Sequence, residues 1–108
     1  GFDGVAKIAN LMKTYRNSAM DFIADEKVIT KEDYDSLIRN TNGVEEKLDY
    51  EQSNVLRYIF EDGSFVAIRP SGTEPKVKFY FALAGKTQSD AIARHDKIKQ
   101  AILDYIKE

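Results

Sequence analysis

Between Asn54 and Leu83 the chain sets three strand-length runs in a row. A turn signal follows the first and a proline-bounded bend follows the second. Val55 to Phe60 is rich in branched and aromatic residues, which suit a pleated, half-buried surface. Glu61-Asp62-Gly63-Ser64 centres on Asp-Gly, a pair that tight hairpin turns prefer. Phe65 to Arg69 is the returning strand. After the bend, Val77, Phe79, Phe81 and Leu83 alternate with Lys78, Tyr80 and Ala82, and that period of two predicts a strand with one face in a core. Connections this short join antiparallel neighbours.

A helical pattern lies on either side. Over residues 3–17, Val5, Ile8, Met12 and Tyr15, with Ala9 and Leu11 alongside, follow the 3-4-3 spacing of a helix with one buried face. Asp3 is placed to cap it. At the other end Gly85 breaks the strand and Thr87 caps a last helix, with Asp90 three residues on. Ile92, His95, Ile98, Ile102 and Tyr105 or Ile106 form its apolar stripe, flanked by Ala91 and Ala101. Each helix has a single stripe to bury. The economical solution packs both on the same face of the sheet, as a two-layer α+β domain.

Residues 18–53 are less decided. Thr30, with Asp33 at the third position and Tyr34, Leu37 and Ile38 on one face, opens a helix pattern. Lys27-Val28-Ile29-Thr30 also reads as a short strand, and the local pattern does not choose. Asn42-Gly43 is a turn signal. Residues 39–53 are polar and are expected to be loop.

At 108 residues the chain is one domain, residues 1–108, with material for one core. A 43% hydrophobic and 31% charged make-up puts it with ordinary globular chains rather than disordered ones. The net charge of −2 and the lack of any lysine- or arginine-rich block argue against nucleic acid as a partner. With no cysteine, disulfides and thiolate metal sites are excluded, and the one histidine excludes a multi-histidine site. No apolar run approaches the roughly 20 residues of a membrane span, and Gly1-Phe2-Asp3-Gly4-Val5 is not a signal peptide. A helical pattern that starts almost at once is expected of a domain cut from a longer chain. The expected location is the cytoplasm.

The chemistry concentrates at residues 69–76, Arg-Pro-Ser-Gly-Thr-Glu-Pro-Lys. Pro70 fixes its own φ and pushes Arg69 into extended backbone, so the Arg69 side chain projects from a rigid strand end. Gly72 tolerates positive φ, and successive N–H groups in such a bend can converge into an anion-binding concavity. Ser71 and Thr73 add hydroxyl donors. Pro75 stiffens the exit, and Lys76 and Lys78 add positive charge. Residues 64–86 carry Arg69, Lys76, Lys78 and Lys86 against Glu74 alone, a small positive island in an acidic chain. A guanidinium grips two phosphate oxygens at once, and each hydrogen bond to a charged group contributes about 1.5–3 kcal/mol. Pro, Ser, Gly and Thr also build ordinary loops, and Glu74 has to point away from an anion or pair with a neighbouring cation.

The run Arg69-Pro70-Ser71-Gly72-Thr73-Glu74-Pro75-Lys76, continued by Val77-Lys78-Phe79-Tyr80-Phe81, resembles the C-terminal signature of the α-D-phosphohexomutases, most of all their bacterial phosphoglucomutase branch. The similarity extends through Ser53-Asn54-Val55-Leu56-Arg57-Tyr58 and Glu61-Asp62-Gly63-Ser64-Phe65. Gly4-Val5-Ala6-Lys7-Ile8, Met12 and Arg16 fit the helix that precedes the domain. It is weakest over residues 18–50.

This resemblance implies the fourth domain of a four-domain enzyme. The implied fold is a four-stranded antiparallel sheet with two main helices on one face, similar to the TATA-binding-protein fold. A fourth strand is then expected near Lys27–Asp33, ending before Tyr34. It also implies a reaction in which a phosphoserine elsewhere exchanges phosphoryl groups with a hexose phosphate, interconverting 1- and 6-phosphates. Mg2+ and a hexose 1,6-bisphosphate activator serve the full enzyme. This domain grips the phosphate that is not reacting, through Arg69, Ser71, Gly72 and Thr73, with Lys76 as a further candidate. Neither a Thr-x-Ser-His-Asn-Pro-like nucleophile segment nor an Asp-x-Asp-x-Asp metal loop is present. No catalytic or metal-binding residue is therefore assigned, and the domain is expected to be inert alone. Its partners are the sugar phosphate and the other domains of the parent enzyme. Mannose, glucosamine and pentose phosphates are alternative substrates, and a stand-alone phosphate-binding or regulatory module is the alternative from another class. His95 reads as a core or boundary residue, and Tyr80 and Lys78 fall on the polar face of their strand.

Overall fold

The computed structural model describes the backbone of residues 2–107 and the side chains of residues 4–104. The side chains of Asp3, Tyr105 and Ile106, to which a cap and the end of a stripe were assigned above, lie outside the described residues. The chain runs α1 (Phe2–Asn17), β1 (Phe22–Ile23), β2 (Glu26–Asp33), β3 (Ile38–Thr41), β4 (Val44–Lys47), β5 (Leu56–Phe60), β6 (Phe65–Pro70), β7 (Val77–Ala82) and α2 (Gln88–Lys107). The sheet is antiparallel throughout, in the order β4-β3-β2-β5-β6-β7, and β1 pairs with the start of β2.

The three consecutive strands of the sequence are β5, β6 and β7. Their registers, Tyr58 opposite Val66 and Val66 opposite Phe81, put the alternating apolar residues on one face. There Leu56, Tyr58, Phe60, Val66 and Ile68 meet Leu11, Met12 and Tyr15 of α1 and Ile98 and Ile102 of α2. Both helices thus cover one face, in the two-layer α+β arrangement. Each fully buried side chain contributes about 1.5–3 kcal/mol relative to exposure. Tyr15 and Tyr58 meet edge to face at 5.9 Å, and the Tyr58 hydroxyl donates to the Tyr15 carbonyl at 3.3 Å. Val5 and Ile92, which the periodicity puts on the buried stripes, are 49% and 54% exposed. Both sit in the first turns of their helices, ahead of Ile8 and Ile98, where close packing begins. Thr87 does cap α2, accepting from the Asp90 amide at 3.1 Å.

The undecided segment resolves as strand. β2 lies in the middle of the sheet, between β3 and β5. Its residues alternate between two very different environments, which no helix would allow. Lys31 points to the helix side and donates to the carbonyls of Tyr15, Arg16 and Ser18 at 2.7, 2.9 and 2.8 Å, closing the C-terminal end of α1. Asp33, on the same side, receives Arg16 at 3.1 Å. Glu32 points to the opposite, open face.

Residues 39–53, expected to be loop, hold part of β3 and all of β4, a hairpin turning on Asn42 and Gly43 with φ of 51° and 90°. β4 is exposed at every position, so it lacks the alternation that marks a strand in sequence. The four strands β2, β5, β6 and β7 form the expected sheet, and this hairpin widens it.

Candidate functional site

The bend between β6 and β7 grows out of the ladder that holds it. Arg69 lies opposite Lys78 and Pro70 opposite Val77, and the Ser71 amide donates to the Lys76 carbonyl at 2.9 Å to close the base. Proline at 70 removes a donor where the ladder ends and keeps Arg69 extended. Val66 and Ile68 face the helices, so Ala67 and Arg69 leave on the open face. Gly72 has φ of 88°, and nothing lies within 4 Å of where its Cβ would be. A side chain there is strained by backbone conformation rather than by crowding.

Donors within the bend are largely unspent. Among the described residues, the Arg69 guanidinium, the Ser71 and Thr73 hydroxyls and the Gly72 and Thr73 amides have no hydrogen-bond or ion-pair partner. The Ser71 amide is different, being used to close the base. Lys76 is different too. Its ammonium pairs with Glu74 at 3.3 Å on the surface, and its amide donates to the Glu74 carbonyl at 2.7 Å. The carboxylate that argued against an anion is thereby turned onto its own neighbour. Lys78 stands beside Arg69 on the open face with no partner among the described residues. One contact had no signal in the sequence. A Cβ on Gly4 would lie 2.8 Å from the Pro75 Cβ, so the front of α1 packs against the exit of the bend.

Two other polar clusters stand away from it. Arg94 of α2 holds Glu26 at 2.7 Å and Asp62 at 2.8 Å and reaches the Ser64 hydroxyl at 2.8 Å. The Arg94 guanidinium holds the Asp62 carboxyl far below the usual carboxylate range. On the open face, Glu32 is 1% exposed and accepts from Arg57 Nε at 2.5 Å, Arg39 Nε at 2.7 Å and the Tyr34 hydroxyl at 3.0 Å. Burial alone would raise its carboxyl, but these three donors outweigh that and hold it below the ordinary value. His95 is half-buried, its ring 4.1 Å from Phe81 and its Nδ1 3.0 Å from Asp96.

The family model for the phosphoglucomutase/phosphomannomutase C-terminal domain matches residues 6–104. A phosphoglucomutase of Staphylococcus haemolyticus is 41% identical over 108 residues, covering 98% of this chain and 18% of that protein. A phosphoglucomutase of Staphylococcus saprophyticus is 45% identical over 85 residues, covering 77% of this chain and 15% of that protein. The chain thus spans less than a fifth of the length of these curated relatives. No solved structure matches it significantly.

Proposed function

This chain belongs to the family of phosphoglucomutase/phosphomannomutase C-terminal domains, and from that membership we propose that its 69–76 bend holds the non-reacting phosphate of a hexose phosphate. The observation that carries the reading is the set of unspent donors on one bend, where the cluster at the other end of β6, built on Arg94, Asp62 and Ser64, is internally paired. Arg69 supplies the fork, Ser71 and Thr73 their hydroxyls, and Gly72 and Thr73 their amides. Lys76 pairs with Glu74 and so offsets the one carboxylate of the bend. Such a clamp contributes orientation, holding the far end of a substrate so that the reacting end meets its nucleophile.

The nucleophile belongs to another part of a longer enzyme, which interconverts hexose 1- and 6-phosphates in the cytoplasm. Magnesium and a hexose bisphosphate serve that enzyme. Among the described residues no three carboxylate, imidazole or thiolate groups gather to hold a metal ion. The described residues offer no set of ligands for the magnesium, and no step here runs through it. The isolated chain binds phosphate and turns nothing over.

Titration of glucose 1-phosphate or inorganic phosphate into the labelled chain is the test. The amides of Gly72 and Thr73 shift first, together with Ser71, and shifts confined to the helices would contradict the assignment. Arg69→Lys keeps the charge but loses the fork, so it weakens binding. An unchanged affinity would show that the grip is not bidentate.

A further inference from the structure

The open face carries a second arrangement, independent of the bend. Glu32 of β2 sits between Arg39 of β3 and Arg57 of β5, each directly opposite it in the sheet. Both arginines bind it through Nε, one on each carboxylate oxygen. Arg57 also stacks over Phe65, its Cζ 4.8 Å from the ring centre. Both arginine side chains are about one-third exposed, while the Glu32 side chain between them is 1% exposed. Among the described residues nothing pairs with the terminal amino groups of Arg57, and those of Arg39 meet only Glu46, at 3.7 Å on the surface.

A buried carboxylate is an uneconomical way to fasten a sheet, since well-packed apolar residues often stabilise as much. What the carboxylate adds here is aim. It fixes two guanidiniums by their inner nitrogens and leaves the terminal amino groups of Arg57 unspent, with those of Arg39 meeting only Glu46. Glu32 within and Glu46 at the surface balance the two guanidiniums, so what the cluster offers an anion is N–H donors rather than net charge. Two forks approaching from opposite sides suit a tetrahedral oxyanion, which offers an edge to each, better than a planar carboxylate with only two oxygens.

We propose that Arg39 and Arg57, held by Glu32, form a second oxyanion site on the open sheet face, for phosphate or a small phosphate monoester. Arg57 lies opposite Ala67, two residues before Arg69, so the site is a neighbour of the bend and does not share its donors.

The test separates the two sites. In an Arg69→Ala chain, inorganic phosphate is titrated while the side-chain Nε–Hε signals of Arg39 and Arg57 are followed. Both shift together along one saturating curve. Arg57→Lys in that background weakens the binding about tenfold, because charge remains and the fork is lost. Acetate at matched ionic strength produces no saturating shift. Signals that stay flat up to tens of millimolar phosphate overturn the proposal. So do shifts that occur with Arg69 present and vanish with Arg69→Ala, since they belong to the bend. Equal saturation by acetate overturns the phosphate assignment. Failure of the bend instead leaves Ser71, Gly72 and Thr73 silent in the unaltered chain while the two arginines respond.

Discussion

The two ends of β6 each reverse the chain in a tight bend, with opposite economies. Both bends use a glycine at positive φ, Gly63 at 85° and Gly72 at 88°, and neither glycine has a neighbour where a Cβ would go. At the first bend the polar groups are consumed internally. Asp62 receives the Ser64 amide and hydroxyl, the Ser64 hydroxyl receives the Ala84 amide, and Arg94 ties the whole to β2 and α2. At the second, the base is closed and Lys76 turns onto Glu74, and the remaining donors have no partner among the described residues. A turn that exists to hold the fold spends its hydrogen bonds within the fold. One that keeps them has left room for something else to accept them.

The contrast is broken most severely at Arg94. Arg94→Ala strips one turn of its fastening and leaves Glu26 and Asp62 without their cation. We expect a loss of about 2–3 kcal/mol, below the cost of breaking a fully buried pair because both carboxylates are partly exposed. The urea midpoint falls, and phosphate-induced shifts at Gly72 and Thr73 persist. A loss of both would show that the two bends are not separate.

Paired glycine substitutions sharpen the comparison. Gly63→Ala and Gly72→Ala each destabilise by about 1 kcal/mol, from the positive φ alone. Only the second also lowers phosphate affinity. Equal affinities for the two variants would make the 69–76 bend an ordinary connection. A smaller effect is expected at Gly4, where alanine gains up to about 1 kcal/mol of helix propensity but brings its methyl against Pro75. Stability changes little, while phosphate binding weakens severalfold. Unaltered binding would mean that α1 does not set the position of the exit.

The smallest effect is acid-dependent. Arg94 depresses the folded-state value of Asp62, so the stabilisation is fully present above the unfolded value of about 3.9 and is lost as pH falls through the folded one. Asp62→Asn therefore lowers the urea midpoint at pH 7 and lowers it less as pH drops below 4. A midpoint difference of the same size at pH 7 and at pH 3 would refute the linkage.

Sequence exposed the second bend because its chemistry is contiguous, one residue after another between two prolines. It exposed β5 to β7 because one face is buried and the other is not, which imposes a period of two. β2 was ambiguous for a specific reason. Thr30 and Asp33 have a helix-cap spacing, while Lys31 and Glu32 find their partners, a helix end and two arginines, only across the fold. β4 was hidden because both its faces meet solvent. The Arg39–Glu32–Arg57 cluster draws one residue from each of three strands, at separations of 7 and 25 along the chain. No local pattern announces such a cluster. The Gly4–Pro75 contact, between positions 71 residues apart, was hidden for the same reason.

Lys31 has three ammonium hydrogens and three carbonyls to receive them, all at the rear of α1. The helix is thereby fixed at its rear, seated on the sheet through Leu11, Met12 and Tyr15, and in contact at its front, where Gly4 meets Pro75. From Tyr15 to Gly4 the arm is roughly 16 Å long at 1.5 Å per residue. A tilt of about 5° about the pin would carry its tip roughly 1.4 Å, further than a hydrogen bond can stretch before it fails. A displacement of the front of α1 would therefore be felt first at Pro75, the exit of the 69–76 bend.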